Sequence, residues 1–328
     1  MPLLLALIWS ISLAAADTTA NGGPPNFDAL FPRPASDAVN DVQKELECIR
    51  DLTANKGELI KSPQSAEMIK HLAPVIQDAF QRFNVKGIER ALFYSQALEE
   101  SGALTVLSES TKYGIAGRDA IGNVIVSAIN DPLYRARPGA KASREFGIYR
   151  GRGLIQISRC DNYLSIIHYL NLLYAGRKPE WKAYWEVKGT KGKREIKEVC
   201  SKEDVADASA HYRTQYGMNP NLYGAFEDPM RFAMIDGELT DPMSKKTIAS
   251  EKFMLDATLA YWRGRCGETV DRSADRAALK TYAACSQFQS EDYLTHASKC
   301  LTRCIKGSIS GWERRMAWLK LALRCSRY

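Results

Sequence analysis

The sequence offers little to a metal or a nucleophile. Its four histidines, His71, His168, His211 and His296, show no metal-ligand spacing and no nucleophile context, and they read as structural. After residue 16 no apolar run approaches the roughly 18 to 20 residues that a membrane helix needs, so stable membrane insertion of the mature chain is not expected. Alternating apolar strands are scarce, no internal repeat is visible, and no recognised nucleic-acid motif is present. These absences point away from a sheet-built, repeat or nucleic-acid-binding protein.

Residues 1–16, MPLLLALIWSISLAAA, form one apolar run closed by small residues, and Ala14-Ala15-Ala16 before Asp17 suits signal-peptidase cleavage. No Lys or Arg precedes the run, which leaves the amino terminus to supply the positive charge. Export to a secreted or periplasmic location is the expectation. Eight cysteines are an even number, and an oxidising compartment lets them pair. Cys300 and Cys304 stand at helical spacing without a second close pair, so disulfides are favoured over zinc, with connectivity open. A net charge of +7 and a pI near 8.9 attract polyanions of every kind. The basic residues are scattered, so a solvated basic surface and affinity for an acidic wall both remain open.

Residues 17–40 mix four prolines with Gly, Asn and Ser and read as an irregular linker. Helical periodicity begins near Asp41, with 41–60 as a helical extension ahead of a main domain over 61–328. The spacing predicts helices over 42–52, 66–83, 88–102, 161–175, 203–215, 249–263, 270–285, 291–304 and 310–325. Pro74 is expected to kink or restart the second. Two irregular stretches, 113–148 and 217–248, are too long for simple connections, and long loops on a helical frame are where sites are built. The fold class is mainly α with at most a small β-sheet.

On the predicted helix 88–102, Phe93, Ala97, Glu100 and Leu104 share one stripe, while Glu99 points about 100° away. A carboxyl on an apolar stripe is costly to ionise, and desolvation keeps it protonated, as a general acid requires. Taken alone, this helix favours an ordinary surface glutamate near its end. A second stretch, Tyr149-Arg-Gly-Arg-Gly-Leu-Ile-Gln-Ile-Ser-Arg-Cys-Asp-Asn-Tyr163, shifts the balance. Gly151 and Gly153 let backbone approach a ligand, and Gln156, Ser158 and Asn162 suit acetamido and hydroxyl groups. Its spacing fits neither phosphate-loop glycine pattern.

These blocks resemble glycoside hydrolase family 19, the plant-type chitinases and, more closely, their lysozyme-like endolysin relatives. Phe93-Tyr-Ser-Gln-Ala-Leu-Glu-Glu-Ser-Gly-Ala-Leu104 followed by Ser108-Glu-Ser110 is similar to the family's A-Q-x-x-H-E-[ST]-G-G block with its second glutamate. Tyr149–Tyr163 is similar to the endolysin form Y-R-G-R-G-L-I-Q-L-T-G-R-x-N-Y. Ile305-Lys-Gly-Ser-Ile-Ser-Gly-Trp-Glu-Arg314 is similar to I-N-G-G-x-N-G-x-x-D-R, and Tyr261-Trp262 with Arg265-Cys266-Gly267 resembles the stretch before it. The resemblance spans about Lys61 to the C-terminus and implies a lysozyme-like α+β fold with a glycan-binding cleft. It makes Glu100 the general acid and Glu109 the base on a water, which Ser158 helps to hold; a solvent-facing loop residue is the other reading of Glu109. Gln156 and Asn162 bind sugar, Arg314 sits among the acids, and Tyr149, Arg152, Glu99 and Lys306 complete the substrate-facing set. Inversion needs the two carboxyls roughly 6.5 to 9.5 Å apart.

Three positions depart from the motif: Glu99 replaces His, Ala103 a glycine and Lys306 an asparagine. Glu99 can raise the donor's pKa by repulsion or bind a cationic amino sugar, which suggests de-N-acetylated glycan. Lys306 can pair with a carboxylate of the cleft. The function implied is a monomeric muramidase acting on peptidoglycan or another N-acetylhexosamine polymer, without metal or cofactor. Leu154, where plant chitinases typically carry proline, favours wall over chitin; chitinase or chitosanase is the alternative. A catalytically inactive glycan-binding protein is the alternative of another class.

Overall fold

A computed structural model describes residues 42–54, 63–108, 151–158, 160–182, 185–188, 195–198, 229–232, 238–240 and 247–326. Glu109, Tyr149, the leader 1–40 and the expected helix 203–215 lie outside them. The described chain is mainly helical, with two short antiparallel hairpins. In chain order the helices are α1 (Val42–Ala54), α2 (Pro63–Arg82), α3 (Ile88–Glu100), α4 (Cys160–Tyr174), α5 (Ser250–Ala260), α6 (Gly267–Ala274), α7 (Arg276–Lys280), α8 (Tyr293–Lys306) and α9 (Trp312–Cys325). Strands β1 (Trp185–Lys188) and β2 (Glu195–Glu198) pair with each other, as do β3 (Glu238–Thr240) and β4 (Thr247–Ala249).

Periodicity explains most of these elements. In α1, Val42, Leu46 and Ile49 recur at helical spacing and are buried; in α2, Ile69, Leu72, Ile76 and Phe80 do the same, and the helix runs on through Pro74 without restarting. The segment expected as one helix over 270–285 is broken. Asp275 takes an extended conformation and its side chain accepts from Ala277 N and Ala278 N at 2.8 and 3.1 Å, so it ends α6 and caps α7. α8 begins on a similar cap at Asp292 and stops at Gly307, whose φ of +73° suits glycine. α5 passes directly into a wider π turn over Tyr261–Arg265.

The centre of the molecule is α3, in which every residue from Glu89 to Leu98 is buried. A helix enclosed on all sides must satisfy its polar groups internally. Arg90 lies 2.7 Å from Glu45 of α1, and the Tyr94 hydroxyl donates to the same Glu45 at 2.8 Å. Glu89 accepts from Trp262 Nε1 at 2.9 Å and pairs with Arg263, both on the π turn. Arg263 also holds Asp271 at 2.9 Å and donates to the Asn84 carbonyl at 3.2 Å. The π turn thus faces the N-terminal end of α3.

Three disulfides lie among the described residues: Cys48–Cys325, Cys266–Cys304 and Cys285–Cys300. Cys300 and Cys304, one helical turn apart on α8, therefore take different partners. Cys160 and Cys200 fall outside the described side chains. Cys48–Cys325 joins α1 to α9 across 277 residues of sequence, so the segment 42–54 belongs to the same packed body as the rest. Closing so long a loop restricts the unfolded chain strongly, by roughly 5 kcal/mol in the chain-entropy picture. Replacing both cysteines by serine is expected to lower unfolding free energy by about 2 to 5 kcal/mol in urea titration; an unmoved midpoint would show that α1 is held by packing alone.

Glu89 gives a second prediction. Burial pushes its carboxyl from 4.5 up to about 7, against the pull of Arg263 and the Trp262 hydrogen bond. The folded state therefore holds this proton more tightly than the unfolded chain does. Stability from this group is full below pH 4.5 and is lost as pH rises through about 7, on the order of 3 kcal/mol in all. Unfolding free energies from pH 4.5 to 8 should fall less steeply in Glu89→Gln than in the parent, and parallel curves would refute the assignment.

Candidate functional site

The site is built on the end of α3. The helix stops at Glu100 rather than reaching 102, because Gly102, Ala103 and Leu104 all take positive φ, at +52°, +60° and +69°. The Ser101 hydroxyl donates to Ala97 O at 2.5 Å and accepts from Leu104 N at 2.9 Å, which fixes the reversal. Leu104 is buried by this left-handed turn and not by a continued helical stripe. Ala103 sits in backbone geometry that favours glycine, the residue the resembled motif carries there, at a cost of about 1 to 2 kcal/mol.

The turn delivers residues 106–108 to the second block. Gly153 N donates to Leu107 O at 2.9 Å, Gln156 Nε2 donates to Val106 O at 3.0 Å, and Ser108 bridges to Arg152 as in an antiparallel pair. Within this block the roles differ from those expected of a ligand-facing loop. A side chain at Gly153 would come within 3.0 Å of Thr258 Oγ1 and 3.3 Å of the Phe232 carbonyl, so its freedom serves packing against the protein itself. Arg152 is fully buried and donates to the Tyr163 hydroxyl at 2.9 Å, bracing the turn from inside. Asn162, also buried, donates to the Ser158 carbonyl at 2.7 Å and accepts from Arg265 at 2.6 Å. Ser158 is half-buried at the approach to α4. Gln156 keeps one buried amide oxygen without a partner among the described residues.

The third block meets the end of α3 itself, at Glu99 and Glu100. Gly311, at φ +79°, starts α9, and Arg315 one turn later is buried at 1 % side-chain exposure. Its guanidinium donates to the Ser310 and Gly311 carbonyls at 3.3 and 3.2 Å and forms an ion pair with Glu100 Oε1. Lys306, the last residue of α8, places Nζ 4.0 Å from that oxygen. Arg314 meets Glu99 at 2.7 Å, and Trp318 Nε1 donates to Glu99 at 3.3 Å. The arginine beside the candidate acid is thus Arg315, not Arg314. Sequence reading missed it and Trp318, although Arg314 and Trp318 at i, i+4 share a helix face.

Glu99 is already matched by Arg314, so among the described residues no unbalanced negative charge remains there for a cationic sugar. For Glu100, burial is the largest influence and raises its carboxyl above the ordinary range. Arg315 and then Lys306 pull it down, and Glu99 adds a small upward push. The result is a largely enclosed carboxyl, 14 % exposed at the side chain, with its pKa raised and its position fixed by Arg315. Such a group can deliver a proton to an oxygen placed against it.

No protein-family model matches the chain, and comparison with curated proteins and with solved structures returns no match. No group of three or more potential metal ligands occurs among the described residues, and no described helix is long and apolar enough to cross a membrane.

Arg315→Gln removes the largest influence that lowers the Glu100 pKa, so the carboxyl should titrate still higher, as read by carbon-detected NMR. The same change leaves a buried carboxylate without its closest cation, and the loss of stability at pH 8 is expected at roughly 3 to 5 kcal/mol, shrinking as the pH is lowered and Glu100 takes up a proton. An unchanged Glu100 titration would mean that burial alone governs it.

Proposed function

We propose that the chain is an exported glycoside hydrolase that cuts β-1,4 bonds of peptidoglycan, with Glu100 giving its proton to the departing glycosidic oxygen. The observation that carries the reading is convergence. Two stretches far apart in sequence, 93–108 and 305–315, meet around one largely enclosed carboxyl whose pKa is raised by burial, and a third, 151–162, joins the first at Val106–Ser108. They are the same three stretches that resemble the family 19 hydrolases. Glu109 follows the described turn by one residue and is assigned as the base that activates water on the opposite face of the sugar, which yields inversion. Gln156, whose amide oxygen is unspent, and Ser158 are assigned to the substrate and its water. Three disulfides support export, since such bonds persist in oxidising compartments.

The chemistry asks for one carboxyl in each protonation state. Glu100 supplies the acid because burial disfavours its anion, and the base must be a carboxyl that stays ionised, the role assigned to Glu109. Arg315 keeps the acid from swinging away and returns it to the same place after each proton transfer.

The test is to incubate the mature protein with purified sacculi and with chitin oligomers and identify the fragments by mass spectrometry. Disaccharide-bearing muropeptides are expected, and Glu100→Gln should slow their release by about 10²- to 10⁴-fold while sparing binding. Chitin fragments alone would move the substrate within the same chemistry. Binding without fragments from the unmodified protein would replace the hydrolase by a glycan-binding protein.

A further inference from the structure

Among the described residues the charges around Glu100 do not balance. Among the described residues the groups that face it are Glu99, Arg315 and Lys306, with Arg314 behind Glu99. Two carboxylates against three cations leave one positive charge in excess. When Glu100 carries the proton that a general acid must hold, the excess becomes two. The surplus cations then differ in their fate. Arg315 is buried and keeps the carbonyls of Ser310 and Gly311 as partners. Lys306 sits at the very end of α8 with its side chain 38 % exposed, and its carboxylate partner has lost its charge. Arg314, 70 % exposed, adds a second solvent-facing cation one residue away along α3, at Glu99.

We propose that Lys306 is the specificity residue of this site, an anion subsite that receives a carboxylate carried by the glycan strand. This rests on the reading of Glu100 as the proton donor. A carboxylate docked on the ammonium replaces the negative charge that the protonated acid has given up and brings the excess back from two to one. It also adds a negative charge close to Glu100 and so disfavours loss of the proton before transfer. A neutral polymer of N-acetylglucosamine offers Lys306 nothing in exchange for Glu100, whereas peptidoglycan carries carboxylates on its stem peptides and, where the peptide has been removed, on the lactyl group. The subsite therefore separates wall from chitin by charge, and it turns the lysine that replaces the motif's asparagine into the discriminating feature.

The experiment compares the mature protein with Lys306→Asn and Lys306→Gln on native peptidoglycan and on the same material with its stem carboxyls amidated, reading both fragment release and binding. For the parent, native material should be turned over about two- to fivefold faster than amidated material, the range expected of one partly exposed ion pair. In both variants that ratio should collapse to near one, and the alkaline limb of the kcat/KM profile should move up, because a cation that lowers the Glu100 pKa has been removed. Peptide-free glycan with free lactyl carboxyls locates the anion: retained dependence on Lys306 assigns the lactyl group, and lost dependence assigns the stem. A ratio that survives in the variants, or a parent indifferent to amidation, overturns the proposal. Should no material be cleaved by the parent, the hydrolase reading fails on its own, and binding decides the subsite: preference for native over amidated material must disappear with Lys306 if the subsite is real.

Discussion

Two adjacent carboxyls at the end of an enclosed helix are tolerable only because another helix brings a guanidinium to each. Glu99 and Glu100 diverge by about 100° around α3, as neighbours on a helix must, and Arg314 and Arg315 diverge by the same angle around α9. The two helices therefore meet in a register where each acid finds its own base. Removing a carboxylate from water is expensive, and its attraction to a nearby cation offsets that expense only if the geometry is good and the remaining hydrogen bonds are filled. Here most are filled: Arg315 Nη1 donates to the backbone that starts α9, while its Nε has no partner among the described residues, and Trp318 adds a donor to Glu99. Gly311 belongs to the same constraint, since a side chain there would come within 2.9 Å of the Arg315 guanidinium.

The rest of the body serves to keep α9 in that register. Cys48–Cys325 fixes its far end to α1, and α1 in turn is bound to α3 through Glu45, Arg90 and Tyr94. The loop that begins α9 follows α8, whose end is tied to the start of α6 by Cys266–Cys304 and whose Ile305 carbonyl accepts from the Tyr261 hydroxyl at 3.2 Å. A small slip of α9 would exchange the partners of Glu99 and Glu100 or leave one of them bare. Packed interiors resist such slips because they are close to crystalline in density.

Apolar periodicity made the helices legible, since burial of one face is what those residues do in any surroundings. It could not show where a helix yields to a turn of unusual handedness. Nothing in Ser101-Gly-Ala-Leu104 other than Gly102 announces positive φ, and Leu104 continues the stripe so well that a helix to 102 was the natural expectation. The break at Asp275 carried a signal, an aspartate two and three residues ahead of free amides, which periodicity alone overrode. In the site, the apolar stripe singles out Glu100 but by itself favours an ordinary surface glutamate, and the resemblance of the three blocks is what makes it the candidate acid. Arg315 is not legible in this way, because the distinction between it and Arg314 is a matter of helix rotation, which depends on how α9 meets α3. Arg152 and Asn162 show the converse. Their polar side chains look available on paper, yet they are consumed by Tyr163, Ser158 and Arg265 inside the protein. A polar residue in a glycine-rich loop can hold a ligand or hold the loop, and the chemistry of the two tasks is the same.

That equivalence bears on how the site is able to work at all. A proton donor must be at once desolvated, so that it keeps its proton, and anchored, so that it points at one oxygen. Desolvation alone would let a protonated side chain seek any acceptor within reach, and anchoring by a cation alone would drain the proton away. Glu100 has both influences in opposition, with burial prevailing over Arg315 and Lys306. The margin between them is what a ligand can move. An arginine buried against backbone cannot leave, but a lysine on a helix end can turn to another anion, so the part of the balance that remains adjustable is the part exposed to the substrate.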